Sequence, residues 1–119
     1  MSHEEEYLRA WAIQLALEDQ KASEAVVGKL TSMAKDDESQ VVRLYLASAL
    51  QRLPMSQRWG IVENLIQHAE DAKDHNLPMV LWYGIEPLVK ADKARALKLV
   101  ARTKIPLIRQ FIARRAIAK

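Results

Sequence analysis

The stretch Asp37-Glu38-Ser39-Gln40-Val41-Val42-Arg43-Leu44-Tyr45-Leu46-Ala47-Ser48-Ala49-Leu50-Gln51-Arg52-Leu53-Pro54 decides the fold. Val42, Tyr45, Leu46, Ala49, Leu50 and Leu53 recur at steps of three and four, the spacing of one helix face. Asp36-Asp37-Glu38 interrupts the preceding pattern, and Ser39 is placed to accept the first free backbone N–H groups as an N-cap. Pro54, which has no N–H to donate, stops the helix.

The same periodicity extends in both directions. Upstream, a first helix reads from about Glu4 to Asp19, with Leu8, Trp11, Ala12 and Leu15 as its apolar stripe. A second begins at an N-cap Ser23 and carries Val26, Val27, Leu30 and Met33. Downstream, a fourth helix follows from about Ser56 with Trp59, Val62, Leu65, Ile66 and Ala69. The polar stretch from Asp71 to Asn76 separates it from a fifth, Leu77 to about Lys90, for which Asn76 reads as N-cap and Pro78 as a first-turn residue. Val80, Leu81, Trp82, Tyr83, Ile85, Leu88 and Val89 leave that helix almost no polar face, the mark of a helix buried on several sides. Within it, Gly84 permits close approach of a neighbour, and Pro87 is expected to bend the axis by depriving the Tyr83 carbonyl of its donor. A sixth helix reads from about Ala91 to Thr103 with Ala94, Leu97, Val100 and Ala101 inward, and Ile105-Pro106 opens a seventh with Ile108, Phe111 and Ile112. No stretch alternates as a strand does. The chain reads as all-α.

Alternate helices also resemble one another. Leu8-Arg9-Ala10-Trp11-Ala12 matches Val42-Arg43-Leu44-Tyr45-Leu46 at a period of 34, and the frame continues loosely through Leu81-Trp82-Tyr83-Gly84 and Ile108-Arg109-Gln110-Phe111-Ile112. Helix pairs this small cannot hide their apolar faces alone and must stack. The segment Asp37-Glu38-Ser39-Gln40-Val41-Val42-Arg43 resembles the inter-repeat turn of HEAT proteins. In that family an aspartate ends the turn and a Val-Arg pair begins the next helix. Repeat one keeps Arg9 without a preceding aspartate turn, and repeat three has Leu81 at the arginine position. The resemblance implies a right-handed α-α superhelix of the HEAT/ARM type, with about seven helices in three to three-and-a-half repeats, over a single domain 1–119. The helical pattern at Ile117-Ala118-Lys119 has no C-cap glycine, so a fragment of a larger protein is expected.

A narrower resemblance lies in Asn76-Leu77-Pro78-Met79-Val80-Leu81-Trp82-Tyr83-Gly84-Ile85-Glu86-Pro87-Leu88, together with Ala96-Leu97, Lys104-Ile105-Pro106 and residues 109–115. It is similar to the HEAT-repeat region of planctomycete-type membrane-bound dehydrogenases, which join a β-propeller, HEAT repeats and a CxxCH haem domain. That likeness implies a scaffold segment of an exported redox protein, in the periplasm or cell envelope. Neither propeller nor CxxCH lies in this sequence, so no catalytic or haem-binding residue follows from it.

Composition narrows the chemistry. Apolar residues make up 50% and charged residues 28% of 119, an ordinary globular balance and not a disordered one. With no cysteine there are no disulfides, thiolate metal sites or iron–sulfur clusters within the chain. Three glycines leave no phosphate-cradling loop. Charge is unevenly spread: residues 1–76 hold 8 Lys/Arg against 13 Asp/Glu, whereas residues 77–119 hold 10 against 2. Such a split either orients an acidic partner on the C-terminal half or is neutralised by neighbouring repeats.

His68 and His75 flank Glu70, Asp71 and Asp74, but their separation of seven is not the i, i+4 spacing that puts two imidazoles on one face, and surface loop polarity is the expectation. His3 falls in a terminus expected to fray. Glu86, within the most apolar helix, is expected to pair with Arg109 or Arg114 in preference to acting in proton transfer. Ser32, Ser48 and Ser56 have no histidine at a suggestive spacing. Trp11, Trp59 and Trp82 beside Arg and Lys resemble HEAT-like DNA glycosylases, yet Trp11 and Trp59 fall on core stripes. The expectation is a non-catalytic scaffold without cofactor or metal. Lys93, Arg95, Lys98 and Arg102 are the residues expected to meet an acidic protein partner or neighbouring domains of the parent chain. Nucleic acid and membrane are not the expected partners. The alternative is a HEAT-like DNA-binding or DNA-repair domain using the basic C-terminal half.

Overall fold

A computed structural model describes residues 2–17 and 23–117, with side chains from residue 5 onward. Among the described residues seven α-helices follow one another: α1 (Ser2–Ala16), α2 (Glu24–Asp36), α3 (Gln40–Ala49), α4 (Trp59–Leu65), α5 (Leu77–Ala91), α6 (Lys93–Arg102) and α7 (Pro106–Ile117). Short 3₁₀ segments at Leu50–Arg52, Met55–Gln57 and Ala69–Lys73 complete the described structure, and no strand occurs among the described residues. The chain is all-α. The expected end of the first helix at Asp19 and the side chain of His3 lie outside the described residues.

Helix boundaries follow local chemistry. Ser23 Oγ accepts from Val26 N at 3.2 Å and Ser39 Oγ from Val42 N at 3.3 Å, each satisfying an otherwise orphaned donor of the first turn. Pro54 ends α3 and its 3₁₀ extension with Leu53 in extended backbone. Asn76, expected to cap α5, has helical backbone and no capping side-chain bond. Its place is taken by Asp74, whose Oδ2 accepts from both Asn76 N (2.9 Å) and Leu77 N (2.7 Å). α4 is shorter than its sequence pattern, because Met55–Gln57 winds as 3₁₀ before Trp59.

Packing joins helices that alternate in sequence. α1 packs on α3, α3 on α5 and α5 on α7, while α2 packs on α4, and α6 on α5 and α7. The molecule measures 45 × 31 × 18 Å. The core includes Leu30, Val42, Leu46, Leu50, Val62, Leu65, Leu81, Ile85, Leu88, Ile108 and Ile112, as the apolar spacing of α2 to α5 and α7 predicts, and also Ala34 and Ile61, which it does not; Val26, Val27, Met33 and Phe111 are half-buried. A Cβ at Gly84 would lie 2.7 Å from Leu50 Cβ, so only glycine lets α5 meet the 3₁₀ extension of α3 at this distance.

Three stripes differ from expectation. In α1 Ala10 and Ile13 are buried, as is Leu17 just beyond its end, whereas Leu8, Trp11, Ala12 and Leu15 are exposed. In α6 Ala96 and Leu99 are buried and Val100 half-buried, and Ala94, Leu97 and Ala101 face solvent. Ala69 is exposed beyond the end of α4. α5 is less enclosed than an all-round apolar helix: Tyr83 and Glu86 are exposed, and Trp82 is half-buried against Phe111, with ring centroids 5.3 Å apart. The helix runs on through Pro87 to Ala91.

Candidate functional site

Polar side chains divide into those that hold layers together and those that face outward. The first group centres on a repeated arginine–aspartate rung. Arg9 donates from Nε and Nη2 to the Asp37 carboxylate at 2.7 and 3.0 Å. Twenty-eight residues likewise separate Arg43 from Asp71, where Nε and Nη2 reach Oδ2 and Oδ1, both at 2.7 Å. Arg43 also donates from Nη1 to the Asp37 carbonyl at 3.0 Å, linking one rung to the next. Two parallel charge-assisted bonds fix geometry as well as energy. Desolvation pushes the Asp37 carboxyl up, but the Arg9 guanidinium, the Ser39 N–H and the nearby Arg43 charge together hold it below its ordinary value.

Asp71, expected on a surface loop, is fully buried with Arg43, and Gln40 Nε2 donates to its Oδ1 at 3.1 Å. Burying this pair is tolerable because every charged edge finds a partner. The signal lay in the sequence: Asp71 follows Asp37, and Arg43 follows Arg9, by the same 34 residues. His68 is half-buried and bonds through Nε2 to the Ala34 carbonyl at 2.6 Å, whereas His75 is exposed. Among the described residues no group of three or more His, Asp or Glu is placed to hold a metal ion. Further clips tie neighbouring segments: Asn64 Nδ2 of α4 donates to the Thr31 carbonyl of α2 at 2.8 Å, and Lys104 N after α6 to the Ile66 carbonyl after α4 at 2.8 Å.

Arg58 has no carboxylate partner among the described residues. Its Nε donates to the Leu53 carbonyl and its Nη1 to the Gly84 carbonyl, both at 2.9 Å. Burial pushes its guanidinium pKa down from the ordinary value. It closes the C-terminal end of α3's 3₁₀ extension and ties it to α5 at Gly84. Glu86 is half-exposed and lies 3.7 Å from Arg115 Nε, so its partner is Arg115 and not the expected Arg109 or Arg114. Arg109 instead donates to the Thr103 carbonyl at 2.9 Å.

The outward group lies on α6. Arg95, Lys98 and Arg102, spaced i, i+3 and i+7, line a groove with Ala94 and Leu99, closed by Asp92 at the helix start and by Glu63 of α4. Lys93, also exposed, is not among the lining residues. Arg95 is partly engaged, 3.8 Å from Glu63 and stacked 4.6 Å from the centroid of the Trp59 ring. Lys98 and Arg102 make no ion pair among the described residues. The groove thus presents two uncommitted cations beside apolar surface. Trp59 is buried beneath Arg95, so it offers no open face for stacking. No helix among the described residues is long and apolar enough to cross a membrane. No family model, curated protein or solved structure matches the chain.

Proposed function

We propose that the chain is a non-catalytic interaction scaffold, a HEAT-like right-handed superhelix of stacked helix pairs whose α4/α6 groove receives an acidic segment of a protein partner. Support for the architecture comes from the two Arg–Asp rungs repeated at 34 residues and from the packing of alternate helices. The observation that carries the function is how the cations are used. Arg9, Arg43 and Arg58 spend their donors inside the chain, whereas Lys98 and Arg102 share one groove and make no ion pair among the described residues. Cations held on a rigid helix with apolar flanks suit carboxylates of a short acidic peptide, and a groove without an open aromatic face suits nucleic acid less well.

Fluorescence anisotropy with a labelled Glu-rich peptide and with labelled duplex DNA, each at two salt concentrations, tests this reading. The peptide should bind at low salt, and each of Lys98→Glu and Arg102→Glu should weaken it by about tenfold, the scale of one lost charge-assisted bond. Absence of peptide binding, or equal binding by the variants, overturns the proposal. Tight DNA binding with a definable salt slope would establish the nucleic-acid reading instead.

A further inference from the structure

The exposed face of α1 is as apolar as a core stripe. Leu8, Trp11 and Leu15 are 67%, 57% and 53% exposed and follow one another at helical spacing, with Tyr7 beside them at 56%. One period of 34 later the same positions are Val42, Tyr45 and Ala49, which are buried, half-buried and buried within α3. Positions covered in an inner helix are therefore uncovered in α1. At the other end, α7 turns Ile108, Ile112 and Ala116 inward and leaves Leu107, Gln110, Arg114 and Ile117 outward at spacings of three, four and three. Ile117 is 78% exposed.

Charge decides what fits each face. α1 contains three glutamates and one arginine, whereas α7 contains three arginines and no acid. Pairing α7 with α7 sets like charges together, and pairing α1 with α1 offers the glutamates at its N-terminal end no arginine beyond Arg9, which Asp37 already holds. Pairing α1 with α7 sets opposite charges together, and Arg114, without an ion pair among the described residues, lies in the middle of the α7 stripe. We infer that a second copy of this chain docks head to tail, its α1 stripe of Leu8, Trp11 and Leu15 laid on the outer face of α7 around Arg114. The incoming α1 sits on α7 much as α7 sits on α5, extending the existing layer. A contact between two different faces does not close on itself unless the rotation brings it round, so assembly proceeds with concentration into short chains. This inference is independent of the α6 groove, which belongs to neither face.

Light scattering or sedimentation of the intact chain across a concentration series reads the assembly. The wild-type chain should grow in mass with concentration. Trp11→Asp and Arg114→Glu, both at exposed positions and verified as folded by circular dichroism, should each weaken association by about 30-fold, the loss expected for a central interface residue. Mixed in equal amounts, the two variants should form a dimer and no larger species, because each retains the face that the other lacks. Lys98→Glu with Arg102→Glu should leave assembly unchanged. A wild-type chain that stays monomeric to millimolar concentration, an Arg114→Glu variant that associates like wild type, or a mixture that remains monomeric would each overturn the inference.

Discussion

Removing the Asp71 carboxylate leaves Arg43 charged in a site from which water is excluded. Arg43 is 1% exposed, and Asp71→Ala deletes both acceptors of its Nε and Nη2 donors as well as the acceptor used by Gln40. Breaking one side of a buried ion pair costs about 3–5 kcal/mol. Two features place this case toward the lower end. Arg43 Nη1 keeps the Asp37 carbonyl, and the half-exposed Glu70 carboxylate, already 3.5 Å from Nη2, can move closer. A loss of about 3–4 kcal/mol is a large part of the roughly 5–15 kcal/mol that holds a domain of this class together. In urea the transition midpoint should fall by about 2 M at a slope of about 1.5–2 kcal/mol/M, with the slope itself unchanged. Replacing both partners by apolar residues, Arg43→Met with Asp71→Leu, should be better tolerated than Asp71→Ala alone, since no charge is then stranded. A midpoint shift worth less than about 1 kcal/mol for Asp71→Ala, or a double variant worse than the single one, would refute the view that Arg43 is a committed buried charge.

The remaining predictions use other contacts. Arg9→Ala breaks the same chemistry at a rung whose arginine is 42% exposed and screened by water, so it should lower the urea midpoint far less than Asp71→Ala does. Gly84→Ala should destabilise by about 1–3 kcal/mol despite alanine's better helix propensity, because the new Cβ lands on Leu50, and thermal unfolding would register the fall. Arg58→Met should cost about 1–3 kcal/mol by removing the donors that tie the Leu53 carbonyl to Gly84 of α5, and hydrogen exchange should show the 3₁₀ extension of α3 and the middle of α5 opening first. Asp37 titrates below its unfolded value, so in that window the folded state binds fewer protons than the unfolded state. Its contribution is therefore complete above about pH 4 and lost as pH falls through the lower folded value; Arg9→Leu should flatten this acid limb of the stability profile.

Helix count, most boundaries and the α3 core were legible because caps, prolines and steps of three and four are local signals. Which face of a helix is covered is not local. α1 offers two stripes, Ala10-Ile13-Leu17 and Leu8-Trp11-Leu15, and the bulkier one looks inward by hydropathy although α3 packs on the smaller. α6 repeats the lesson with Ala96 and Leu99 buried and Leu97 exposed. Small residues are selected where backbones approach closely, so bulk misleads at outer helices. The basic face of α6 could be read as a run of cations, but the partition among them could not. Only the fold brings Glu63 and Trp59 against Arg95 while leaving Lys98 and Arg102 open.

The arginines show why residue type alone does not assign a role. Arg9 and Arg43 stand one period apart with the same aspartate partner spacing, yet only Arg43 has a layer on both sides and loses its water. Arg109 also reaches back six residues to a turn carbonyl, as Arg43 does to Asp37, but lies on the exposed side of α7. A guanidinium enclosed by two layers must be matched donor by donor, because each unmatched one keeps its full desolvation cost. One at the edge needs no such match and remains available to another molecule. Position in the stack thus converts the same side chain from mortar into contact surface, and it does so in the order in which solvent is removed.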